Sequence, residues 1–295
     1  MIRDESPRPT RRGIDHLVLA VGDLDAARDF YARLGFTLTP RARHPFGTDN
    51  SLVQLQGCFL ELLAVARPEE IPPHGPDDFS FAAYNQEFLA RRQGFSMLVF
   101  ESADARADRD EFRAKGIRTY APFDFSRPAR LPDGAEVTVG FSLAFVSDPR
   151  LPDCSMFVCQ QHAPQHFWKP DYQRHANGAV GVEAVYLVAA DPPALADHFA
   201  ALQGPASIAE TGEGLDVATA RGAIRVLTPA VFAARFPGAR IPNAPPTPYY
   251  AGFRLAFAEP GRARAAIGGL EVRAAGGTHW IDPAHAFGCL IEFAA

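Results

Sequence analysis

Residues 13–23 read GIDHLVLAVGD and residues 181–191 read GVEAVYLVAAD. Each opens on Gly and an aliphatic residue, continues as an apolar strand and ends at an Asp. A helix-like stretch follows both: LDAARDFYARLG from Leu24, and PPALADHFAALQG from Pro192. In the first, Leu24, Ala27, Phe30, Tyr31 and Leu34 recur at helical spacing, with Asp23 placed to cap the start and Gly35 to close the end. Pro192 and Pro193 stand where a first helical turn tolerates proline. Further downstream, GCFLEL (57–62) and GCLIEF (288–293) repeat as hexapeptides that set Glu61 and Glu292 at one strand position.

The period continues between these copies. GFSMLVFES (94–102) precedes a helical pattern from Asp104 to about Lys115 and strands near 136–146 and 155–162. YAGFRLAFAE (250–259) precedes a short helical stretch over 260–267 and strands to the end. Four copies of a β-α-β-β-β module account for the chain. Strands outnumber helices too strongly for a doubly wound parallel sheet, so the class is α+β with mixed sheets. The polar, aromatic stretch 163–178, APQHFWKPDYQRHANG, predicts a connection. The expected division is a frayed tail over 1–12, a first domain over 13–177 and a second over 178–295. The stretch 229–249 reads as an irregular insertion.

Composition narrows the function classes. Of 295 residues, 47% are hydrophobic and 21% charged, ordinary values for a globular protein. The formal net charge of −5 argues against a nucleic-acid partner. All basic residues except Lys115 and Lys169 are Arg. That bias reads more simply as base composition than as phosphate recognition. Cys58, Cys154, Cys159 and Cys289 lie in apolar strands without CxxC spacing, as small buried hydrophobes in a reducing compartment do. No secretory leader and no apolar run of membrane length is read, so a cytoplasmic protein without a membrane partner is expected. Phosphate-cradling loops, G-x-S-x-G and HExxH are missing from the sequence, which leaves kinase, serine-hydrolase and zinc-protease readings unsupported.

GIDHLVLAVGDLDAARDFYARLGF with GCFLELLAV resembles the opening module of the vicinal-oxygen-chelate superfamily, and IDPAHAFGCLIEF resembles its closing strand pair. FVCQQHAPQHFW and RHANGA resemble the glyoxalase-like branch. The resemblance implies paired modules forming two U-shaped mixed sheets with flanking helices, and a divalent ion (Zn, Ni, Mn, Co or Fe) held by the first and last strands of each module. Carried over by position, it implies His16, Glu61 and Gln160 as metal ligands, with Glu61 and His162 in catalysis. Met97 or Ser96 occupies the matching strand of the second module, so one ligand is absent there. In the second half Ala184 matches His16 and Val226 matches Glu61, leaving Glu292, for which a structural ion pair with an Arg is expected.

Bland readings stand beside these. His16 is a ligand through its neutral imidazole or a hydrogen-bonded, half-buried histidine. Glu61 interrupts an apolar run, where a carboxylate is costly unless paired or metal-bound. Gln160, Gln161 and His162 belong to the site or satisfy a strand end. His166, Trp168, His175 and Asn177 form an aromatic lid or a packed linker. His44 and His74 are loop histidines, and Arg41, Arg43 and Asn50 an anion-binding edge or a solvated face. The functional expectation is a metal-assisted lyase or isomerase that stabilises an enolate or enediolate of a small oxygenated substrate. The alternative is a metal-independent protein that sequesters a small ligand. An extradiol dioxygenase is disfavoured because two His and one carboxylate are needed. A monomer or a homodimer is compatible with the repeat.

Overall fold

A computed structural model describes residues 11–130, 136–246, 248–259 and 270–293. Local chemistry sets the first element pair. Strand β1 (Ile14–Ala20) is followed by Asp23, whose carboxylate accepts from the Ala26 amide and caps helix α1 (Leu24–Arg33). Gly35 then takes a positive φ of 85°, a backbone region that side chains with a Cβ resist, and turns the chain out of the helix. Strands β2 (Ala42–Arg43), β3 (Thr48–Gln54) and β4 (Phe59–Val65) complete the first module.

Helix α2 (Phe81–Leu89), capped by Ser80, leads to the second module. It comprises β5 (Gly94–Glu101), α3 (Ala105–Ala114), β6 (Arg118–Thr119), β7 (Phe123–Arg130), β8 (Glu136–Ser147) and β9 (Ser155–Gln161). A short helix α4 (Pro164–Phe167) opens the connection to the third: β10 (Ala179–Val188), α5 (Ala196–Gln203), β11 (Ile208–Thr211), β12 (Gly214–Ala218) and β13 (Ala223–Leu227). Helix α6 (Pro229–Arg235) begins the stretch read as an irregular insertion. Thr228 caps its first turn and Pro229 fits there, a short-range signal that the Pro-rich remainder masks. Strands β14 (Tyr249–Phe257), β15 (Arg273–Ala275), β16 (Thr278–Ile281) and β17 (Leu290–Phe293) follow. The helical stretch expected over 260–267 lies outside the described residues, as do residues 1–10 of the expected tail.

The elements form two mixed sheets of nine and eight strands, so the α+β repeat architecture is present. The first runs β2-β3-β4-β1-β5-β9-β8-β6, with β7 on β8. The second runs β11-β12-β13-β10-β14-β17-β16-β15. In both, a module's first strand lies parallel to its own last strand and antiparallel to the first strand of the next module.

Strand alternation gives each sheet two dissimilar faces. Leu17 and Leu19 of β1 and Val185 and Leu187 of β10 enter one core shared by both sheets, with Phe30, Phe112 and Phe199 of the helices. Val18 faces a separate aromatic cluster of the first sheet, whereas Tyr186 and Val188 face another belonging to the second. Arg12, just before β1, ties the two halves together. Its guanidinium donates to Leu202 O of the second half at 2.7 Å and to Asp108 of α3 at 2.8 Å, and also reaches Glu111. Arg12→Ala would take the guanidinium away from the buried Asp108 carboxylate, which keeps the Ser102 hydroxyl. The expected loss is about 3 kcal/mol, read as a lower urea midpoint at an unchanged m-value.

Candidate functional site

The separate cluster of the first sheet encloses a cavity of ≈ 470 Å³, its open mouth included. Phe59, Phe81, Phe125, Phe141, Phe157 and Phe167 form its walls, and His16, His44, Asn50, Glu61 and Arg127 supply its polar groups.

The parallel β1–β4 register sets Val18 opposite Glu61 and His16 opposite Phe59. Side chains two apart share a face, so His16 and Glu61 meet on the cavity side. Leu60 and Leu62 point instead to the shared core. His16 stacks on Phe59 at 4.3 Å between ring centroids and meets Phe157 edge-on. Asp15 should point to the opposite face, but the β1–β5 ladder slips between Ile14 and His16. Such an irregularity re-aims side chains, and here Asp15 Oδ2 lies 2.6 Å from His16 Nδ1. Gln161 Nε2 donates to the other Asp15 oxygen at 3.1 Å. With Nδ1 so engaged, His16 Nε2 faces Glu61 Oε2 at 3.7 Å.

Glu61 is 5% exposed and has one hydrogen-bond donor on its carboxylate, Asn50 Nδ2 at 2.6 Å. Burial raises its pKa above the usual carboxylate value; His16 and the Asn50 hydrogen bond oppose that effect. His44 is buried as well, although its loop suggests exposure. The turn at Gly47, φ 90°, folds the loop back so that His44 Nδ1 meets Thr48 Oγ1 at 2.9 Å. His44 Nε2 stands 3.2 Å from Asn50 Nδ2 and 3.8 Å from Glu61 Oε1. Burial, then the positive Arg127 nearby, lowers the His44 pKa to about 3. The imidazole is therefore neutral near pH 7, with Nδ1–H donating to Thr48 and Nε2 accepting from Asn50.

The sequence-predicted residues divide. His16 and Glu61 come together. Gln160 turns to the other face of β9, where its Oε1 accepts from the Ala105 amide and its Nε2 donates to Ala103 O at the start of α3. His162 is exposed, its Nε2 2.8 Å from Ser142 Oγ, away from the cavity lining. Register explains both. Glu61 lies opposite Val18, and its counterpart lies opposite Val99, at Phe157; the sequence alignment placed this position three residues late. Among the neighbours of Gln160, Gln161 is the one whose side chain reaches the site, through Asp15. Arg41 pairs with Asp25 and Asp49, and Arg43 with Glu70. His175 and Asn177 are packed linker residues: His175 bridges the Thr37 amide and Gln54 O, and Asn177 donates to Leu34 O. Phe167 covers the cavity, fixed where Gln54 Nε2 donates to its carbonyl.

The side chains fit a resident divalent ion poorly. Met97 and Phe157, both buried and apolar, occupy the second module's two ligand positions, and Gln160 is engaged elsewhere. His16 and Glu61 remain, fewer than the three protein ligands of a catalytic zinc site. His44 accepts from Asn50, and no group of three or more His, Cys, Asp or Glu among the described residues is drawn together to hold a metal. In the second half, the register matches Glu61 with Arg225 and not Val226, because Tyr186, the counterpart of Val18, lies opposite Arg225. Glu292 accepts from Tyr186 Oη and pairs with Arg235 at 3.3 Å, the expected structural ion pair.

The sequence profile of the glyoxalase-like domain family matches residues 14–203, and the chain belongs to that family. No curated protein matches the sequence. Among solved structures, a hypothetical protein from Staphylococcus aureus is similar at 14% identity over 96% of this chain and 98% of its own, with a TM-score of 0.66. A variant of 4-hydroxymandelate synthase from Streptomyces coelicolor is similar at 13% identity, covering 96% of this chain and 92% of its own, with a TM-score of 0.57. Methylmalonyl-CoA epimerase from Mycobacterium tuberculosis matches 54% of this chain and 93% of its own at 20% identity and a TM-score of 0.37. The first two likenesses show a shared fold over nearly the whole chain. No helix among the described residues is long and apolar enough to cross a membrane.

His44 gives the site a pH signature. An unfolded chain takes up the His44 proton near 6.5, whereas the folded chain resists it until about 3. The group's contribution to stability is complete above pH 6.5, falls as pH drops towards 3 and levels below that. Urea unfolding at pH 7.5 and 4.5 is expected to show a smaller acid loss in His44→Gln than in wild type.

Proposed function

We propose that the cavity of the first sheet is the active site of a lyase or isomerase that moves a proton on a small oxygenated molecule. The observation that carries this reading is the pairing of His16 Nε2 with Glu61 Oε2 at 3.7 Å inside an aromatic enclosure, with Asp15 behind the imidazole. A buried carboxylate whose pKa is raised is a stronger base at neutral pH than an exposed one. Glu61 takes a proton from the carbon beside a carbonyl and passes it to Nε2 of His16, which, held by Asp15 at Nδ1, returns it at another position of the enolate. Arg127 lies close enough to influence both His44 and Glu61 electrostatically, and its charge opposes the negative charge building on the substrate oxygen.

Many relatives in the superfamily use a divalent ion, but two ligand positions here are apolar and the proposed proton path uses protein groups. A second reading, ligand sequestration without turnover, is favoured by the apolar walls of Phe59, Phe125, Phe141 and Phe157.

Proton NMR in heavy water tests the proposal on a panel of small ketones, oxo acids and hydroxycarbonyl compounds, with and without chelator. Exchange of a carbon-bound proton is expected to survive chelation and to fall at least about 100-fold in Glu61→Gln and His16→Gln. Exchange that both variants retain would overturn the assignment. Strict dependence on an added divalent ion would establish the metal-assisted route instead. Saturable binding with no exchange would favour sequestration.

A further inference from the structure

Resting on the reading of this cavity as the ligand site, we infer that its ligand is an organic acid with an aryl or bulky branched body, whose carboxylate is received by Arg127. Arg127 projects from β7 into the aromatic chamber. No carboxylate or other acceptor among the described residues closes a hydrogen bond or salt bridge on its guanidinium; Glu61 acts on it only at longer range. That sets it apart from Arg43, Arg67, Arg106 and Arg150, each of which pairs with an acid.

A second unbonded guanidinium, Arg92, has a different setting. It lies over the rings of Phe88 and Tyr249, 4.4 Å and 5.9 Å from their centroids. Stacking accounts for Arg92. Arg127 has no such ring beneath it among the described contacts and opens instead on empty space.

Arg127 also stands at a junction. With Leu52 and Phe167 it lines both the inner chamber and an outer groove that carries His166 and Lys169. Lys169 Nζ has one weak contact, 3.5 Å to Gln165 O. An entering anion thus meets positive charge at the mouth and a forked donor at the threshold, and its apolar body meets aromatic walls inside. Arg suits this position because its planar donors bind a carboxylate in two parallel hydrogen bonds. The single acid lining the chamber, Glu61, is engaged by Asn50 and makes no hydrogen bond or ion pair with the guanidinium, which is left to the ligand.

Isothermal titration of 3-phenylpropanoate, 3-phenylpropanamide and 2-phenylethylammonium tests the inference on the intact protein. Wild type is expected to bind the acid at least about tenfold more tightly than the amide, and the ammonium ion least of all. Arg127→Gln is expected to erase the preference for acid over amide, with amide binding retained as evidence of an intact pocket. Arg127→Lys keeps the charge without the fork and is expected to fall between. Glu61→Gln is expected to keep the preference, so a failed proton-transfer mechanism would leave the acid selectivity in place. Equal binding of acid and amide by wild type, binding of neither at millimolar concentration, or an undiminished acid preference in Arg127→Gln would overturn the inference. If Arg127→Gln does not fold, the wild-type comparison and Arg127→Lys decide it.

Discussion

The parallel register between β1 and β4 brings an imidazole and a carboxylate together on an otherwise aromatic surface, and the whole site depends on that juxtaposition. With Val18 opposite Glu61, the side chain two residues earlier, His16, reaches across to the carboxylate. A shift of one residue in β4 would send Glu61 into the shared core and bring a leucine to the cavity, because strand faces alternate. The leucines on either side of Glu61 resist that shift, since both are fully buried in the core they now occupy. Apolar packing on one face therefore fixes polar geometry on the other.

The carboxylate is not made comfortable by this arrangement. Withdrawing an ion from water costs several kcal/mol, and one hydrogen bond to a charged group returns about 1.5–3 kcal/mol. Asn50 is the one hydrogen-bond donor on Glu61 among the described residues, and the raised pKa is the visible remainder of the imbalance. Glu292, in the matching hexapeptide, shows the structural solution to the same problem. It receives the Tyr186 hydroxyl and the Arg235 guanidinium, so its charge is neutralised in place. One repeat position thus carries two kinds of carboxylate: one satisfied by the protein and one left with capacity to spare.

The repeat was legible because it is written in strand patterning and turn residues, which act locally. GIDHLVLAVGD and GVEAVYLVAAD gave matching strands, and Asp23 capped its helix as the spacing predicts. His16 and Glu61 were also legible, as polar residues interrupting apolar strands. Gln160 and His162 were misplaced because sequence alone does not reveal how β9 is offset against β5; the ladder puts Phe157 opposite Val99. His44 was undervalued because its burial depends on the Gly47 turn, which brings Phe46 against it, and on Phe81 and Phe125, which close around it from distant segments. Arg127 carries no local signal at all. Its neighbours in β7 look like an ordinary strand, and only the assembled chamber reveals that no acceptor among the described residues engages its guanidinium.

The substitutions at the second module's ligand positions bear on the chemistry in a further way. Met97 and Phe157 leave His16 with an aromatic neighbour where a symmetric site would set another ligand. An apolar wall lowers the local dielectric, which strengthens each remaining electrostatic contact and penalises any charge left uncompensated. On the proposed reading, a proton passing between Glu61 and His16 in such surroundings would change the charge of both partners at once, and a ligand oxygen beside Arg127 would compensate the change. On that reading the two features act together: with Met97 and Phe157 apolar, Arg127, which no acid among the described residues engages, is the positive group left to hold negative charge on a ligand while bonds rearrange.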